Sequence, residues 1–82
     1  MSDFELQEIF KSKFSKLDTS YIDKNDEDML FEETNFIFRK ICDSMEQELG
    51  INSTDYDTST EWYDFIQEEM INYMLNNIVN AN

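Results

Sequence analysis

A small antiparallel bundle of three α-helices is the fold this sequence predicts, and three observations carry that expectation. One Gly and no Pro leave few chain breakers in 82 residues, which favours helices over a turn-rich β fold. Apolar residues recur at helical spacing in three stretches separated by short polar links. Seven Phe, four Tyr and one Trp supply enough large side chains to bury a core in so short a chain. A second domain would leave neither half enough apolar area to fold, so residues 1–82 are expected to form one acidic helical domain.

The first helix is expected near residues 3–17. Ser2 followed by Glu5 fits a capping box, and Leu6, Ile9, Phe10, Phe14 and Leu17 follow at helical spacing. Asp18 to Asn25 reads as a loop, with Tyr21 and Ile22 folded back on the core. The second helix is expected over 26–49. Asn25 or Asp26 can cap it, and Asp26, Glu27 and Asp28 suit the positive end of its dipole. Leu30, Ile37, Phe38, Ile41, Met45 and Leu49 line one face, and Gly50 stands where a left-handed residue ends a helix. Ile51 to Thr58 is a polar connection. Thr58 with Glu61 repeats the capping-box pattern and starts a third helix, expected over 59–79.

On that third helix Trp62, Ile66, Met70 and Tyr73 share one arc, the expected core stripe. Ile71, Leu75 and Ile78 form a second apolar line, facing either the first helix or a partner subunit in a homodimer. Met29 and Phe36 point away from the core arc of the second helix, among Glu32, Glu33 and Asp43. Together these five define an expected secondary or dimer surface.

Charge is the other organising feature. The net charge is −13. Residues 1–40 hold ten acids and six bases, whereas residues 41–82 hold nine acids and no base. Such a field repels nucleic acid and anionic lipid, and it attracts basic protein surfaces. Direct nucleic-acid binding is therefore not expected, and no apolar run approaches the length of a membrane span. A lone Cys and no recognisable signal segment point to a reducing, cytoplasmic setting.

Catalytic and metal chemistry find no purchase. With no His in the chain, Cys42 has no imidazole to activate it and reads as a buried structural thiol. The run "DKNDEDMLFEET" offers Asp23, Asn25 and Glu27 at the first, third and fifth positions of a calcium loop. Asp28 stands where that loop needs Gly, however, and Thr34 where it needs a bidentate Glu. The run from Asp55 fails at the same places, and one Gly cannot build a phosphate-cradling loop. No enzyme activity, cofactor or metal is expected. Lys11, Lys13 and Lys16 read as internal partners for nearby acids.

What remains is binding. Glu61, Asp64 and Glu68 line up on the far side of the third helix, with Phe65 on the border of the row and Asp55 and Asp57 just upstream. The row spreads three charges over about 10 Å of helix rise, against one per ~3.4 Å along a DNA strand. Copying a strand would need a second row, from Asp55, Asp57, Asp43 and Glu46. A looser plug in a basic site would not. The expected function is that of a noncatalytic inhibitor or DNA-mimic decoy occupying the basic surface of a nucleic-acid-binding protein. The alternative is a helical adaptor or dimerisation module acting through Ile71, Leu75 and Ile78. In size and composition the chain is similar to small acidic inhibitors found among phage antidefence proteins and bacteriocin immunity proteins, with no shared motif.

Overall fold

A computed structural model describes residues 3–50 and 62–80, and these form an all-helical, three-helix arrangement. Helix α1 runs Asp3–Ser15 and α2 runs Glu27–Leu49. A short 3-10 turn, Trp62–Phe65, leads into α3, Gln67–Asn80. The capping residues Ser2, Thr58 and Glu61 lie outside the described residues.

Each helix buries a row repeating every four residues. Leu6, Phe10 and Phe14 come from α1, and Phe38, Cys42, Ile37, Ile41 and Met45 from α2. Ile66, just before α3, begins a third row that continues through Met70, Met74 and Ile78. These side chains meet in one apolar cluster that also takes in Ile22 from the α1–α2 connection. Rings join the elements: Phe10 and Phe38 lie 5.4 Å apart, Phe38 and Tyr63 5.9 Å, and Phe14 and Tyr73 6.0 Å, centroid to centroid. Thr34 is the one buried polar residue of the described core, and its hydroxyl donates to the Leu30 carbonyl at 2.6 Å, so its burial leaves no lone donor.

The connection between α1 and α2 is a chain of small hydrogen-bonded turns. The last turn of α1 tightens: Leu17 N–H donates to the Phe14 carbonyl at 3.0 Å, an i→i+3 bond. Leu17 therefore leaves the helical row and is 47% exposed, where a longer helix would have buried it. Asp18 accepts from Ser20 N–H at 2.9 Å and Asp23 from Asn25 N–H at 2.9 Å, each side chain holding the backbone two residues on. Ile22 is thereby pressed into the core. Tyr21 is not: it is 55% exposed and its hydroxyl donates to Glu33 at 3.0 Å. Its phenol has a polar partner on the surface of α2, and the next residue already fills the core position.

Both ends of α2 match their sequence signals. Asp26 stands in an extended conformation and accepts from Met29 N–H at 3.1 Å, and Gly50 closes the helix with φ of 67°. The third segment differs from the expected continuous helix. Ile66 N–H donates to the Tyr63 carbonyl at 3.1 Å, and only from Met70 N–H to the Ile66 carbonyl, 2.9 Å, does the α pattern take over. Three aromatics and an Asp in four residues are weak helix formers, and the tighter turn lets the Tyr63 ring meet Phe38 edge-on.

Two substitutions test these termini. Asp26→Ala removes a cap and is expected to cost about 1 kcal/mol in chemical denaturation. Gly50→Ala meets no neighbouring atom, yet the left-handed backbone alone should cost about 1 kcal/mol.

Candidate functional site

The expected acidic site falls partly within the described residues. Asp55, Asp57 and Glu61 lie outside them. Asp64 and Phe65 stand on the 3-10 turn and Glu68 in the first turn of α3, all three exposed, with Phe65 at 56%. From Asp64 to Glu68 the expected continuous α-helix is corrected: a residue rises about 2.0 Å in the 3-10 turn against about 1.5 Å in α3, with three residues per turn. Glu69, next along, accepts from the Gln7 side-chain amide and ties α3 to α1.

Of the residues expected to supply a second row, Asp43 and Glu46 lie on α2, while Asp55 and Asp57 lie outside the described residues. Asp43, exposed on α2, lines a small cleft of about 70 Å³ together with Tyr63, the residue before Asp64. Asp43 and the 3-10 turn that carries Asp64 thus meet at one edge of the molecule. Arg39 lines the same cleft, so a cation stands within this edge as well.

The expected secondary surface divides. Ile78 is 5% exposed and belongs to the core, so it is not a free contact for a partner. Ile71 is half-buried and packs on the core, and Leu75 is half-buried. The two apolar lines read from the sequence are the flanks of one seam, whose centre is the fully buried Met74. A four-residue repeat advances about 40° around a helix at each step, which carries the seam from Ile66 across to Ile78. Met29 is half-buried, while Phe36 is 56% exposed with the Lys40 ammonium 5.1 Å from its ring centre. Phe31 and Phe4 are exposed apolar residues that the sequence pattern did not single out. Phe31 shares the helical side of Phe38, and only the tertiary packing shows that the core does not extend to it.

The bases of α1 take the roles expected of them in two cases. Lys13 reaches Glu48 at 2.5 Å, and Lys11 reaches Glu8 at 3.7 Å while lying over the Tyr73 ring. Cys42 is 2% exposed, and burial, reinforced by Asp43 and Glu46 against a weaker pull from Arg39, pushes its thiol from 9.0 up to about 12. A thiol so held stays protonated at neutral pH and is a poor nucleophile. Among the described residues no cluster of three or more His, Cys, Asp or Glu side chains is arranged to hold a metal ion, and no helix is long and apolar enough to cross a membrane. The chain matches no protein family, no curated protein and no solved structure.

The raised thiol fixes a direction in pH. Its folded value lies above the unfolded one, so its contribution is whole below pH 9.0 and is lost as pH rises toward about 12. Denaturation midpoints of the protein and of Cys42→Ala should converge over that range. A thiol reagent at neutral pH should label Cys42 only when denaturant is added; labelling of the native protein at the rate of a free thiol would contradict the burial.

Proposed function

We propose that this protein is a noncatalytic acidic binding protein that occupies the basic surface of a nucleic-acid-acting protein. The observation that carries the reading is that Asp43 of α2 lines one cleft with Tyr63, the residue that precedes the exposed Asp64 and Phe65 in the chain. Asp43 and Asp64 are exposed acids of two elements and Phe65 is an exposed ring next to Asp64 in the chain, all in a half of the sequence that has no base. Charges on the rim of such a contact steer and orient a cationic partner, and the ring supplies an apolar anchor. Arg39 within the edge argues for a plug shaped to one basic site and against uniform imitation of a phosphate strand. An inhibitor of this kind would act in the cytoplasm, where a reduced lone Cys and a nucleic-acid-acting target coexist.

The adaptor reading is weaker because one of its three contact residues, Ile78, is part of the protein's own core.

The immobilised protein should retain basic nucleic-acid-binding proteins from a host lysate at low salt. It should release them when salt is raised or duplex DNA is added, since screening removes long-range attraction. Replacing Glu61, Asp64 and Glu68 together by their amides should weaken retention by tenfold or more, about 1.4 kcal/mol, with the circular dichroism spectrum unchanged. Retention indifferent to salt, to DNA and to these substitutions would overturn the proposal.

A further inference from the structure

On a different part of the molecule, α1 and α2 leave between them a groove of about 540 Å³ at the C-terminal end of α1. That volume lies within the ~300–1,000 Å³ typical of small-molecule sites. Its walls combine cations with exposed apolar side chains. Lys13, Lys16 and Lys40 all line it, half of the six cations in the sequence. Leu17, Tyr21 and Phe36, each about half exposed, line it too, over the buried Ile37 and Ile41.

The ordinary explanation accounts for part of this arrangement. Lys13 is held by Glu48, and Lys40 lies over the Phe36 ring. Neither statement covers Lys16, whose ammonium makes no ion pair or hydrogen bond with a described residue. The groove's other acid, Asp18, is already engaged by Ser20, whose side-chain hydroxyl and then backbone N–H hold its carboxyl below the usual carboxylate range. Two ammonium groups thus line an apolar trough, Lys16 with no ion pair or hydrogen bond among the described residues and Lys40 lying over a ring.

We infer that this groove binds a small amphipathic monocarboxylate, an anion with one carboxylate on an alkyl or aryl body. The apolar body lies along Leu17, Phe36 and Ile41, and the carboxylate lies between Lys16 and Lys40. The charge of the whole chain decides against a more acidic occupant. At −13 the surrounding field repels every anion in proportion to its charge, so an acidic peptide meets that cost several times and a monoanion once. The site stands apart from the edge around Asp64, since no residue of the 3-10 turn or α3 lines the groove. The inference therefore does not depend on the function proposed above.

Octanoate and octan-1-ol, which share a chain and differ in charge, are suitable probes. Titrating each into the isotope-labelled protein and following backbone amides by NMR should give saturating shifts for octanoate, centred on Lys16, Leu17, Tyr21, Phe36 and Lys40. Octanol should bind about tenfold more weakly or worse. The double variant Lys16→Gln/Lys40→Gln should lose the same factor for octanoate and nothing for octanol. Shifts that fail to saturate or that spread over α3 would overturn the inference. So would equal affinity for the two probes, or octanoate binding unaltered in the double variant. If that variant does not fold, the comparison of the two probes on the unaltered protein decides alone.

Discussion

The ring of Phe38 is the point on which the architecture hangs. It meets Phe10 of α1 on one side and Tyr63 of the 3-10 turn on another, so one side chain of α2 joins both other segments to the longest helix. Aromatic pairs of this kind add about 0.5–1.5 kcal/mol beyond the area they bury. That increment matters here, because a net charge of −13 makes compaction work against self-repulsion. The tight turn at Trp62–Phe65 follows from the same ring. Tyr63 must arrive edge-on at Phe38, and the turn that delivers it also leaves Asp64 and Phe65 facing outward. The candidate binding edge is thus a by-product of how the third segment docks.

Much of the fold was legible in residue types and spacing. Leu6, Phe10 and Phe14 announce their row without ambiguity, Asp26 and Gly50 mark the two ends of α2, and Cys42 is buried as its position on the core arc implies. The misreadings share a physical origin. On α3 the apolar residues cover two sides, and a wheel drawn from sequence cannot say that Met74 and Ile78 lie inward while Leu75 only borders the core; the neighbouring helices decide that. Leu17 and Tyr21 look equally apolar in sequence, yet a tightened last turn and a hydroxyl with a partner on α2 keep both at the surface.

The two candidate surfaces were legible to different degrees. Asp64, Phe65 and Glu68 could be named from charge and period, whereas the meeting of Asp43 with Tyr63 required the docking of α2 against the 3-10 turn. The groove could not be foreseen. Lys13 and Lys16 read as partners for acids, which Lys13 is, and Leu17 joins the apolar wall because α1 ends early. Charge in this protein is thereby uneven: no base follows Lys40 in the sequence, and three of its six cations line the groove.

Sulfur gives the interior a further property. Met45, Met70 and Met74 are buried to 2% exposure or less, while Met29 is half-buried on the outer side of α2. Unbranched thioethers fill irregular gaps between rings without demanding one shape. They are also oxidised by peroxide only when reached, and the sulfoxide formed is polar and no longer suits an apolar interior. Each buried Met is therefore a built-in recorder of how often its helix swings open, with Met29 as the internal clock against which the other three are read. Oxidative conditions would act on this protein as a ratchet, because every opening that is caught at Met74 or Met45 makes closing again less favourable.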